Sequence, residues 1–257
     1  MVIQTMPVLF IGHGSPMNAI EDNEFSQAWK EEAKEIPKPR AILSISAHWE
    51  TRGIQVTVMP KPRTIHDFGG FPRELFEKQY PAPGSPELAQ RVIEIIGKDK
   101  VLPDENWGLD HGTWSVLCRM YPKAEIPVVQ LSLDRAIIPA QHYELGQQLQ
   151  VLRQEGILIL GSGNVVHNLA MIVREDTAFN WAREFDSKIE KCILENDFIP
   201  LIQYEKQGQA AALSINSAEH YLPLLYILGA KEKGEPTHFF NEKIWGGSLS
   251  MRCIRFG

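Results

Sequence analysis

Cysteine is scarce in this chain of 257 residues: Cys118, Cys192 and Cys253 are all there is. Three widely spaced thiols, an odd number, exclude a disulfide framework and suit a reducing cytosol. No stretch approaches the ~20 apolar residues a membrane span requires. Residues 1–7 carry neither a basic segment nor a long apolar run, so no signal peptide is expected. Lys and Arg number 26 against 32 Asp and Glu, a net charge of −6, and no basic block stands out. The electrostatic footprint of a nucleic-acid binder is therefore missing. Internal repeats and low-complexity linkers are also absent. These absences lead to the expectation of a cytoplasmic protein without nucleic-acid or membrane partners, built as one domain over residues 1–257. That length is enough to bury a sizeable core. Nothing in the sequence fixes an oligomeric state.

What is present is an alternation of short apolar runs and amphipathic stretches. Residues 8–11, 41–46, 127–131 and 157–160 are too short for helices and rich in branched side chains, so they read as buried strands. Leu88, Ala89, Val92, Ile93 and Ile96 recur at helical spacing, as do Phe185, Ile189, Cys192 and Ile193. Ser85-Pro86-Glu87 has the form of a helix start, with proline at the first helical position. The tail 248–256 alternates and reads as a last strand. The pattern predicts an α/β fold: a single domain with a mostly parallel central sheet flanked by helices on both faces. The longest irregular region, 59–72, holds three prolines and two glycines; long loops inside compact domains tend to be functional.

Histidine carries the chemical signal. His13 sits between two glycines after the first strand, and His48 follows the second in Ser-Ala-His-Trp. His167 closes Gly-Ser-Gly-Asn-Val-Val-His after the fourth, and His220 follows Glu219 in a segment that Ser217 is expected to cap as a short helix. In open α/β sheets ligands bind at the carboxyl ends of strands. Neutral imidazole is the commonest metal ligand and also suits proton transfer near neutral pH. Adjacent helical side chains point about 100° apart, so only one of Glu219 and His220 is expected to reach an ion. His111, between Asp110 and Gly112, precedes a helix; His66 lies in the long loop beside Asp67, Phe68, Gly69 and Gly70. His142 and His238 have no such setting and read as structural or exposed. Ser162 between two glycines suggests a serine nucleophile, but the Gly-x-Ser-x-Gly pattern is not met. Neither the lysine of a P-loop nor a three-glycine fingerprint is present.

Seven segments in order, 12–18, 46–49, 66–72, 80–86, 110–112, 162–168 and 219–225, resemble those of the class III extradiol ring-cleaving dioxygenases, most closely the 4,5-DOPA extradiol branch. The resemblance spans nearly the whole chain. It implies one divalent metal ion per chain, Fe(II) for catalysis or Zn(II), held by His13, His48 and His220, with His167 as a possible fourth ligand. It also implies His167 as the acid/base of the reaction and His111 as a second histidine near substrate. His66, Asp67, Phe68 and Gly69 are expected to bind substrate, with Lys61, Arg63 or Arg73 as candidates for a substrate carboxylate. The implied reaction opens the ring of a catechol, such as DOPA or caffeate, with O2 to a muconic semialdehyde. Two other readings stand beside it: a zinc-dependent hydrolase, and a non-enzymatic interaction protein on the same fold, as in the Memo relatives.

Overall fold

Neighbouring residues of the central strands face two different cores. Val8 and Phe10 pack on one side and Leu9 and Ile11 on the other; Ile157 and Ile159 oppose Leu158 and Leu160 in the same way. That two-sided burial is why these runs are continuously apolar rather than alternating. The computed structural model describes residues 5–257; the first four, part of the segment read for a signal peptide, lie outside that description.

The strands are β1 (Val8–Gly12), β2 (Ala41–Thr51), β3 (Ile54–Thr57), β4 (Val101–Asp104), β5 (Val128–Asp134), β6 (Ile157–Gly163), β7 (Thr237–Phe240), β8 (Ile244–Trp245), β9 (Leu249–Ser250) and β10 (Cys253–Phe256). Eight form one sheet in the order β4-β3-β5-β2-β6-β1-β10-β7, while β8 and β9 make a separate hairpin. The centre, β5-β2-β6-β1, is parallel, and antiparallel pairing enters through β10 and at β3–β5. The expected α/β architecture is what the chain adopts.

The helices are α1 (Glu24–Glu35), α2 (Arg73–Glu77), α3 (Pro86–Ile96), α4 (His111–Met120), α5 (Pro139–Leu149), α6 (Asn180–Leu194), α7 (Ile199–Ile202), α8 (Gln209–Ser214) and α9 (Leu222–Ala230). Side chains of α1 and α4 share the core of Leu9 and Ile11, whereas α3, α5, α6 and α9 share that of Val8 and Phe10. Helix α9 is buried at every position, so it is apolar all round and lacks an amphipathic signal. Ser85 caps α3 as expected, its Oγ accepting from Leu88 N at 3.1 Å. Among the described residues no helix is long and apolar enough to cross a membrane.

Local expectations are corrected in three places. His48 lies within β2 rather than after it, in a stretch where the ladder with β5 slips between Ile45 and Glu50. Such a bulge re-aims side chains at a sheet's rim. The tail is two strands, β9 and β10, pairing with different partners. Glu219 and His220 are not in a helical first turn: Pro223 occupies the start of α9, which begins at Leu222, and the two residues form the turn ahead of it.

Candidate active site

The parallel centre sets out three of the histidines. β1 and β2 both pair with β6, Ile11 and Ser46 each opposite Ser162. His13 just past β1 and His48 near the end of β2 therefore straddle the end of β6. His220 is carried there by backbone: Asn164 N donates to its carbonyl at 2.8 Å. A Cβ on Gly163 would lie 2.1 Å from that carbonyl oxygen, so only glycine at the end of β6 lets the 219–221 turn come this close. His167 also reaches the site on backbone pairing, its N–H donating to Ser214 O.

His13 Nε2 lies 3.1 Å from His48 Nε2. One ring nitrogen each of His13, His48 and His220 falls within 4.8 Å of the others. The Nδ1 atoms explain the aim of the rings. Ser162 Oγ donates its hydrogen to the Gly112 carbonyl, so at 2.9 Å from His13 Nδ1 it must accept. Glu219 Oε1 accepts from His220 Nδ1 at 3.0 Å and from Ser217 Oγ at 2.8 Å. Asp67 Oδ2 stands 3.4 Å from His48 Nδ1. With protons held at Nδ1 of His13 and His220, the Nε2 lone pairs of those two rings are left free to turn inward, and His48 Nε2 meets His13 Nε2 at hydrogen-bond distance.

Ser162 Oγ sends its proton to a carbonyl and not to a base, in keeping with the missing nucleophile pattern. Glu219, left open as a rival ligand by the sequence, accepts from His220 Nδ1 and also lies with His167 and His220 in a second group able to hold an ion. The Gly-Ser-Gly and Glu-His spacings flagged both residues without revealing these roles.

Two further imidazoles flank the group. His111 opens α4 and lies 3.8 Å, ring to ring, from His48. His167 stacks on His220 at 3.5 Å and falls outside the three-nitrogen set. Burial, with repulsion from the neighbouring imidazoles as a second cause, holds His13 and His220 well below the usual histidine pKa. Burial lowers His48 as well, with His111 adding to it. Burial takes His167 down to about 4. All four are neutral at pH 7, the form that ligates metal and accepts a proton.

The histidines form the inner end of a cavity of about 420 Å3. Its outer wall is apolar: Phe68, Phe71, Leu169, Ile172, Trp245 and Leu249. Of the residues expected at the substrate, Phe68 lines this wall and Asp67 lies deeper, but His66 and Gly69 do not line the cavity. His66 Nε2 sits 2.9 Å from the Lys78 carbonyl, where it helps to pin the loop. Lys61, Arg63 and Arg73 are also outside: Arg63 donates to Trp107 O and Arg73 pairs with Glu77. Trp245, Leu169 and Ile172 come from segments with no motif, so the sequence offered no signal for them. His142 is buried against Tyr226 and His238 is half-exposed, as expected.

Comparison with known proteins gives a consistent result. The family described as the catalytic LigB subunit of aromatic ring-opening dioxygenase matches residues 7–248. The chain is 47% identical over 258 residues to a 4,5-DOPA dioxygenase extradiol of Escherichia coli K12, covering 98% of this chain and 95% of that one. It is 39% identical to the Beta vulgaris protein of the same name, covering 96% and 95%. The crystal structure of an uncharacterized E. coli K12 protein superposes with a TM-score of 0.85 at 43% identity, covering 98% of this chain and all of the other.

Proposed function

The chain belongs to the LigB family of aromatic ring-opening dioxygenases and is an extradiol ring-opening dioxygenase; we propose that it opens a catechol to a muconic semialdehyde at a metal centre built from His13, His48 and His220. The observation that carries this reading is the convergence of three imidazoles whose Nδ1 atoms each face an acceptor. The donor set fits a divalent ion. Ligands about 2.1 Å from one ion stand roughly 3.0–3.4 Å apart, and the 3.1 Å between His13 and His48 Nε2 falls in that range. His13, His48 and His220 would hold the ion, and iron bound there would supply the redox chemistry that lets O2 react with the ring.

The protein's own residues orient the ring and move protons. Phe68, Phe71 and Trp245 give a flat apolar wall for an aromatic ring whose diol end faces the histidines. His111 and His167 lie on opposite flanks of the three-histidine group, against His48 and His220 respectively. His167, neutral at pH 7, would accept a catechol hydroxyl proton as substrate binds and return it as general acid later in turnover. Such a positioned histidine contributes on the order of 10²–10⁴ in rate. His111 steadies the charge that develops on the substrate oxygens. Both oxygen atoms of O2 enter the product. Of the two metals implied by the resemblance, Fe(II) serves the reaction, while an imidazole site binds Zn(II) more tightly.

The deciding experiment is an oxygen-electrode trace with a catechol panel on protein loaded anaerobically with Fe(II). One O2 consumed per catechol, with semialdehyde absorbance, supports the reading. Oxygen-independent turnover would return the zinc-hydrolase reading, and no turnover of any catechol would return the non-enzymatic one.

A further inference from the structure

Asp67 reaches two imidazoles with one oxygen. Its Oδ2 stands 3.0 Å from His111 Nδ1 and 3.4 Å from His48 Nδ1, while Oδ1 accepts from the His111 backbone N–H at 2.9 Å. The loop that carries it is fixed where it meets the start of α4: Ile65 N donates to Leu109 O, and Trp114 Nε1 to Ile65 O. The carboxylate is largely enclosed, with 17% of the side chain exposed. A carboxylate so enclosed is costly unless its oxygens are paired. Here Oδ1 is paired with the His111 backbone N–H, and Oδ2 faces the two imidazole Nδ1 atoms at ion-pair distance without an aligned hydrogen bond to either.

We propose that Asp67 is a shared positioning residue that fixes one histidine of the metal centre, His48, and one substrate-facing histidine, His111, in the same Nδ1–H tautomer and aims both Nε2 atoms into the cavity. This rests on the metal-centre reading above for the role of His48. His13 and His220 have separate holders, Ser162 and Glu219, so the reach of Asp67 is confined to two of the rings. Carboxylates behind metal-bound histidines commonly change metal affinity by 10–100-fold. This one also ties that ligand to the group working on the substrate.

The test uses the full-length apoprotein and Asp67→Asn, which keeps shape but loses charge and one acceptor. Zn2+ is titrated against a chelating dye, and histidine tautomers are read from long-range 1H–15N spectra. The expected result is a Zn2+ affinity about 10–100-fold weaker, with mixed tautomers at His48 and His111 and unmoved signals from His13 and His220. Asp67→Glu, restoring the carboxylate, should bring both readouts back toward the unmodified protein. Affinity within threefold of the unmodified protein together with unchanged tautomers would overturn the proposal. So would a folded Asp67→Glu protein showing no recovery. If unmodified protein bound Zn2+ no better than His13→Ala, the metal-centre reading would fall instead, and the apoprotein tautomers would still decide the role of Asp67.

Discussion

His167 lies flat on His220, the ring centroids 3.5 Å apart and the planes 6° from parallel. Its backbone is fixed by the bond to Ser214 O, but among the described residues no hydrogen-bond partner holds its ring, unlike those of His13 and His220. A ring stacked on His220 yet free at its nitrogens suits proton transfer. Replacing His167 by Ala should leave metal content after dialysis near one per chain while turnover falls at least ~10²-fold. Elemental analysis alongside oxygen uptake checks this. Loss of metal would place His167 in the ligand set.

Glu219 and His220 separate by the same measurement. His220→Ala removes a donor nitrogen and should abolish stoichiometric metal. Glu219→Gln leaves the ring in place and should weaken affinity by roughly 10–100-fold without abolishing binding. The reverse ranking would make Glu219 the ligand.

Gly112 is the second residue of α4, and a Cβ there would lie 2.5 Å from Ser46 Oγ and 2.9 Å from His48 Cδ2. Ser46 cannot swing aside freely because it donates to Asp110 Oδ1 at 2.7 Å. Gly112→Ala should therefore push His48 out of line, costing about 1–3 kcal/mol of stability and weakening Zn2+ binding. Thermal melts and a dye titration read the two effects; a change in neither would mean the helix start yields without strain.

Acid should destabilise the apoprotein. Burial lowers the pKa of His13, His48 and His220, and takes His167 and His142 to about 4. Each is neutral when folded and protonates more readily when unfolded, near its ordinary value of 6.5. Their contribution is thus full above about pH 6.5 and lost as pH falls toward 4. Asp110, Glu32 and Glu50, whose carboxyls burial raises, act in the opposite sense but are three groups against five. Melting midpoints of apoprotein should drop through this window. Added Zn2+ should raise the midpoint at pH 7.5 and lose that effect near pH 4–5, where protons displace it. A flat profile between pH 7 and 4.5 would contradict the burial of these rings.

The sequence by itself determined the layered α/β plan, because apolar runs of strand length between amphipathic helices can be buried only in a two-faced sheet. It also singled out His13, His48, His111, His167 and His220, which the fold brings to one cavity. What it could not reveal depends on contacts between distant segments. Glu219 and His220 are neighbours in the chain, and only the turn before α9 decides that one braces the other. Ser162 failed the nucleophile pattern in the sequence, but only the fold shows that the Gly112 carbonyl, fifty residues away, takes its proton. Asp67 reads from sequence as a substrate contact and does line the cavity; that its carboxylate also stands beside His48 and His111 is visible only once the loop is folded onto α4. Trp245 left no trace because a single tryptophan on a two-residue strand has no period to detect. Local pattern encodes which face a residue shows; which partner meets it there is settled only when the strands assemble.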